Sequence, residues 1–181
     1  LFPYTTLFRS IDHHDGNLPL RIRSVREGTV VPLHNVLMTV ENSCSKCFWV
    51  TSWFETQLMR LWYPITTATQ SYQLKHLIKR YLDETSDNAD AEINFKLHDF
   101  GSRGVSSQES AAIGGAAHLL SFRGTDTMVA LLMLQDYYNE PMAGFSIPAG
   151  EHSTFSSWGK DRETEAYRNM LKQFARPNSL V

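Results

Sequence analysis

From residue 93 onward the chain repeats one pattern three times, and this constrains its fold more than any other feature. A short apolar stretch, read as a strand, runs into a loop rich in polar residues and glycine, and a helical stretch follows. The strands are read at 93–97, 119–122 and 145–148. The loops follow at 98–105, 123–126 and 149–153, and the helices at 106–120, 127–138 and 154–174. Strand–helix alternation of this kind predicts parallel βα units, because a parallel neighbour can only be reached by a crossover. Ser106-Ser107-Gln108-Glu109 reads as a capping box that starts the first helix. AAIGGAA at 111–117 is all small or apolar, so that helix is expected to pack closely on a neighbouring backbone.

In such folds a ligand sits at the carboxyl ends of the strands. Here those ends deliver HDFGSRG (98–104), RGTD (123–126) and AGEHS (149–153). One face would thus collect an aromatic ring, arginines, carboxylates, histidines and helix N-termini, which favour phosphate. The residues alone point to a small-molecule site, phosphate-bearing, and go no further.

Upstream the pattern changes. Over 17–40, Leu18, Leu20 and Ile22 alternate with Pro19, Arg21 and Arg23, and Glu27-Gly28 marks a turn before Val30-Val31. This predicts a short antiparallel β meander. Trp49, Trp53, Leu58, Leu61 and Trp62 recur at helical spacing, with Pro64 expected to end or kink that helix. A second helix is predicted over 71–81, and 84–91 reads as a polar loop. Residues 1–10, LFPYTTLFRS, follow neither apolar period and back-translate in frame to a common sequencing adapter. They are read as an artefact and set aside. The domain reading is therefore 1–10 adapter, 11–43 part of a β-rich domain, and 44–181 helices and βα units.

Composition closes off several classes. Apolar residues make up 42% of the 181, enough to bury a core. The net charge of −2 gives no basic excess for nucleic acid or an anionic membrane surface. The densest apolar run, 128–134, is far short of the roughly 20 residues a membrane span needs. The N-terminus shows no basic region followed by an apolar core, and a cytoplasmic setting is expected. Cys44-Ser45-Lys46-Cys47 has the CxxC spacing, but the sequence offers no second pair to complete a zinc site. No metal ligands are assigned, and His13-His14, beside the adapter, is given little weight.

KLHDFGSRGVSSQESAAIGGAAHL (96–119), FRGTDT (122–127) and IPAGEHST (147–154), with PLHNVLMTVE (32–41) and LWYPITT (61–67) upstream, closely resemble the nicotinamide phosphoribosyltransferases. The resemblance runs from about residue 15 to residue 181. It implies part of an irregular α/β barrel beside a β-rich domain, in a homodimer. It also implies synthesis of nicotinamide mononucleotide and diphosphate from nicotinamide and phosphoribosyl diphosphate. Mg2+ would accompany the diphosphate, and ATP would donate a phosphate to a histidine.

Carried over residue by residue, Phe100 matches the ring that stacks on the pyridine. By position alone a core phenylalanine is the better fit, and the motif reverses that order. Asp126 matches the carboxylate that accepts from the carboxamide NH2 and repels nicotinate; the plain alternative is a helix N-cap. Arg103 matches a diphosphate-contacting arginine, against a merely solvated one. His152 matches the phosphorylated catalytic histidine, against an ordinary surface histidine. His98, Asp99, Ser146 and Ala149 match positions along the substrate tunnel. Two residues depart from the pattern: Ser102 stands where a tyrosine is usual, and Gly150 where alanine is common. Two other readings stand beside this one: a non-catalytic truncated chain, and nicotinate phosphoribosyltransferase, against which Asp126 argues.

Overall fold

The computed structural model describes residue 8 and residues 11–176. Apart from Phe8, the segment read as an adapter lies outside the described residues. The chain forms two compact units, Leu1–Ile65 and Thr66–Val181.

The first unit is built on an antiparallel ribbon. β1 (Leu20–Ser24) pairs with β2 (Met38–Asn42) in the register Leu20↔Asn42 to Ser24↔Met38. The expected meander is thus one two-stranded ribbon joined by a long loop. Val30-Val31 lies in no strand, Pro32 offers no donor to a ladder, and His34 turns the chain with φ 67°. The apolar alternation of β1 does not bury a face either: Ile22 stays half exposed. Arg21 and Arg23 both reach Glu41, at 3.5 and 3.1 Å, in exposed pairs that contribute little to stability. After a 3-10 turn at Ser45–Cys47 comes α1 (Val50–Met59). Cys47 and Val50 are the buried apolar residues of this stretch.

α2 spans Trp62–Thr85. It contains the predicted 71–81 helix and extends it at both ends. Pro64 does not end a helix here. It occupies the first turn of α2, where the missing N–H had no intrahelical partner to lose and the fixed φ favours initiation. The polar stretch 84–91 is only partly a loop, since the short α3 (Ala89–Glu92) forms within it.

The second unit contains the three βα repeats, displaced from their predicted positions. Residues 93–95 form a 3-10 turn, and the first strand is β3 (His98–Asp99). A further 3-10 turn, Gly101–Gly104, leads to α4 (Gln108–His118). Its cap lies one residue later than the predicted box: the Ser107 hydroxyl accepts from the Ser110 backbone N–H at 3.0 Å. Residues 119–122 turn the chain, and the second strand is β4 (Gly124–Thr125), followed by α5 (Met128–Tyr138). Asn139 closes α5 in the left-handed conformation at φ 56°.

β3 and β4 are parallel, pairing His98↔Gly124 and Asp99↔Thr125, and Phe145 bridges Gly124 in parallel on the other side. The strand order therefore follows chain order, as expected when successive βα repeats lie side by side. The third helix is not one rod over 154–174. α6 (His152–Ser156) is one short helix, Gly159 takes φ 78°, a 3-10 turn spans Lys160–Arg162, and α7 (Glu163–Phe174) follows. The architecture is mixed α/β, and its sheet is not closed into a barrel among the described residues. No described helix is long and apolar enough to cross a membrane.

The core of the second unit lies where α4 meets α5. Phe122 and Ala130 are fully buried, with Ala111 and Ala117 close behind. The smooth helix predicted from 111–117 packs as expected: a Cβ on Gly115 would lie 2.7 Å from Ala130 Cβ and 3.0 Å from Asp99 Oδ2. Neither α5 nor β3, which carries Asp99, can retreat without opening the core. Gly115→Val should therefore destabilise the chain by about 1–3 kcal/mol through overpacking. Gly104→Ala, where an added Cβ meets nothing within 4 Å, should change stability by about 0.5 kcal/mol or less. Urea denaturation of the two variants checks both; equal midpoints would refute the close helix contact.

Candidate active site

The site is assembled by backbone before any side chain takes part. The Asp126 N–H donates to the Asp99 carbonyl at 2.9 Å, and the Thr125 N–H to the Phe145 carbonyl at 2.9 Å. These bonds bring three loops to one edge of the parallel strands, each just past a strand end.

Four of the sequence-predicted residues meet there. His98 and Phe100 leave β3 on successive alternating positions, and their rings lie 4.5 Å apart with planes tilted by 30°. Phe100 is 52% exposed, so it is not a core phenylalanine. The Ser146 hydroxyl donates to Asp126 Oδ1, and His98 Nε2 stands 3.4 Å from the same oxygen. The plain alternative for Asp126 fails: Thr127 holds the cap position of α5, and no side chain caps it. The Thr127 N–H is taken instead by the Thr125 hydroxyl at 3.0 Å. The Asp126 carboxylate is thus oriented through Oδ1, and its side chain stays 43% exposed.

The electrostatics follow from these contacts. The Ser146 hydroxyl first, then His98, hold the Asp126 carboxyl below the usual carboxylate range. His118, behind the strands, is buried with Nδ1 3.0 Å from Ser71 Oγ and its ring stacked on Phe122 at 5.2 Å. Burial pushes its pKa down, against the opposing charge of Asp99, and favours the neutral ring. Asp99 itself serves the loop: Oδ1 accepts from the Gly101 N–H at 2.7 Å, which turns the chain into the segment that presents Arg103. Arg103 is exposed at the end of that turn.

Ala149 and His152 lie on a second feature of this unit, an open cleft of about 830 Å3 between α6 and α7, lined also by Phe155, Lys160, Glu163 and Tyr167. His152 is exposed in the first turn of α6. That helix is too short for the dipole support expected of a long one. The sequence reading missed Glu151, which caps this helix. Its carboxylate accepts from the Ser153 N–H at 2.7 Å and from the Ser153 hydroxyl, and these bonds hold its pKa down. Glu-x-Ser at a helix start was the available signal. Gly150 has a clear structural use here. A Cβ at that position would lie 1.8 Å from the Phe155 ring, which packs on Tyr167 at 5.3 Å, so alanine would displace the cleft wall. Nothing in the structure explains serine at position 102.

Residues 95–180 match the nicotinate phosphoribosyltransferase (NAPRTase) family. The chain is 58% identical over 171 residues to a nicotinamide phosphoribosyltransferase of Xanthomonas campestris pv. campestris, which covers 94% of this chain and 36% of that relative. It is 36% identical to the protein of the same name in Acinetobacter baylyi, over 90% of this chain and 33% of the relative. With the Mycoplasma pneumoniae protein of that name, identity is 34% over 93% of this chain and 36% of the relative. The chain thus spans about a third of the length of the curated relatives it matches.

Ser146→Ala should raise the Asp126 pKa toward the ordinary value of about 3.9. The sign is fixed by linkage. A carboxyl lowered in the fold adds stability above its unfolded pKa and loses it as pH falls through the lowered value, so the variant should lose less stability in acid. Carboxyl-carbon NMR titration reads this directly; an unchanged Asp126 midpoint would exclude the hydroxyl as the main cause.

Proposed function

We propose that this chain, a member of the nicotinate phosphoribosyltransferase (NAPRTase) family over residues 95–180, forms the nicotinamide-binding part of a nicotinamide phosphoribosyltransferase. The observation that carries this reading is the Asp126 carboxylate, anchored through Oδ1 by Ser146, with His98 Nε2 3.4 Å from the same oxygen, beside the exposed Phe100 ring. A pyridine ring lies flat on the aromatic face that His98 leaves uncovered. Its carboxamide NH2 donates to Asp126 Oδ2. Nicotinate, which carries a carboxylate in place of that amide, meets like charge instead of an acceptor.

Transfer then needs little from the protein beyond placement and charge. The bond from ribose C1 to the diphosphate oxygen breaks, its electron pair leaves with the diphosphate, and the pyridine nitrogen forms the new bond to C1. Arg103 offers a planar fork of donors to the departing phosphates. Mg2+ bound to the phosphoribosyl diphosphate would supply charge neutralisation at its oxygens beside Arg103. His152 takes a phosphate from ATP: the imidazole nitrogen bonds to the γ-phosphorus as the bond to ADP breaks. Its exposure on the cleft and the fixed Glu151 beside it support that role. In the whole protein the open parallel strands continue into an irregular α/β barrel, and two copies form a homodimer in the cytoplasm.

Two substitutions in a protein of full family length test the reading. Asp126→Ser should lower the preference for nicotinamide over nicotinate by about ten- to a hundredfold, the worth of a charged hydrogen bond. Steady-state kinetics with both substrates measures it, and intact selectivity would remove Asp126 from amide recognition. His152→Ala should abolish the stimulation by ATP and leave slow basal synthesis. An ATP response equal to that of the parent would take His152 out of the energy-coupling role.

A further inference from the structure

The structure supplies what the sequence lacked at the CxxC pair. The ribbon of the first unit returns β2 beside the start of β1, and the Ser43 N–H donates to the Pro19 carbonyl at 2.8 Å. Directly after it, the Asn42 side chain accepts from the Cys44 N–H at 2.8 Å, and the Cys47 N–H donates to the Cys44 carbonyl at 2.9 Å. Both cysteines are thereby held on one 3-10 turn.

A second tight turn stands just before β1. The Gly16 N–H donates to the Ile11 carbonyl at 2.9 Å, the Asn17 N–H to the His14 carbonyl at 2.9 Å, and Asp15 and Gly16 both take positive φ. That turn carries His13 and His14 to the cysteines. The ligand atoms of His13, His14 and Cys44 lie within 4.8 Å of one another, and Cys47 Sγ is 3.7 Å from His14 Nε2.

We propose that His13, His14, Cys44 and Cys47 form a tetrahedral zinc site. Zn–N bonds of about 2.0 Å and Zn–S bonds of about 2.3 Å put neighbouring ligand atoms roughly 3.3–3.8 Å apart. The contact between Cys47 and His14 already has that spacing. His13, His14 and Cys44 need to close by up to about 1.5 Å to reach that spacing, which exposed His13 can supply by side-chain rotation, and Cys47, which meets the group through His14, turns its Sγ toward the other two. Two thiols and two imidazoles are a donor set that selects zinc over magnesium or calcium. Neither Cys44 nor Cys47 is in a disulfide, and Cys47 is only 2% exposed, so an ion here would be shielded on one side. On binding, each thiol releases its proton and the two thiolates balance the charge of the ion.

The consequence is mechanical. The ribbon buries almost no apolar surface of its own, and a metal would clamp the turn at 11–17 to the 3-10 turn that follows β2, about thirty residues away, as staples do in domains with small cores. None of the four residues belongs to the nicotinamide site, so the two proposals stand or fall separately.

The test is to purify the chain under reducing conditions without chelator and measure zinc by mass spectrometry. The metal is then replaced with cobalt and the visible spectrum recorded. The expected result is close to one zinc per chain, and for cobalt the intense tetrahedral d–d bands with thiolate charge-transfer absorption. His13→Ala, an exposed change that spares the fold by circular dichroism, should weaken zinc binding about tenfold or more, and Cys44→Ser should remove one thiolate's share of the charge-transfer band. Substoichiometric zinc with a weak octahedral cobalt spectrum would overturn the proposal. So would equal affinity in the parent and His13→Ala, or a Cys44–Cys47 disulfide whose reduction yields no zinc binding.

Discussion

Everything at the proposed nicotinamide site depends on two residue pairs of parallel sheet. His98 pairs with Gly124 and Asp99 with Thr125, and the Asp126 N–H continues the ladder onto the Asp99 carbonyl. This short ladder fixes where Phe100 and Asp126 emerge, one residue beyond their strands and on the same edge. It tolerates only glycine at 124, because a Cβ there would meet His98 Nδ1 at 2.7 Å. The imidazole occupies that space, and from it reaches both the Phe100 ring and the Asp126 carboxylate. Removing the side chain of one residue thus lets another bridge the two groups that would read the substrate.

Behind the ladder, the same economy of volume holds the helices in place. Small residues let α4 approach α5, and the buried contact of Ser71 with His118 brings α2 against the repeats. Lys75 adds to that seam, donating to Asn94 at 3.2 Å and lying over the Phe122 ring. A site built on this frame inherits its rigidity, since each loop leaves from a strand end that cannot shift without disturbing a packed helix. The first unit is organised differently. It has an exposed ribbon, few buried side chains and two hydrogen-bonded turns that converge on sulfur and nitrogen ligands.

What the sequence revealed was order and chemistry, and what it hid was boundaries. Strand–loop–helix repetition identified parallel βα units, yet the strands sit at the loop residues His98–Asp99 and Gly124–Thr125, not in the apolar runs before them. Apolar content marks burial, and here Phe122 is buried in a turn without being in a strand. Pro64 was read as a stop because its missing donor looks the same in either direction, and only the start of α2 at Trp62 shows it to be an initiator. Asp126 could be recognised from its motif, but its two possible uses were separable only once the hydroxyls of Thr125 and Ser146 had positions. The CxxC pair was set aside for want of a second pair, and His13-His14 was given little weight beside the adapter; that His14 meets Cys47 across some thirty residues is a contact no local pattern shows.

The central claim is that one aromatic ring and one carboxylate read nicotinamide together. Saturation-transfer NMR on a protein of full family length, with the phenylalanine rings selectively protonated, tests it most directly. Saturating the Phe100 ring should transfer to the nicotinamide ring protons, and nicotinate at the same concentration should show far less. Transfer from other phenylalanines while Phe100 stays silent, or equal transfer to both ligands, would contradict the account.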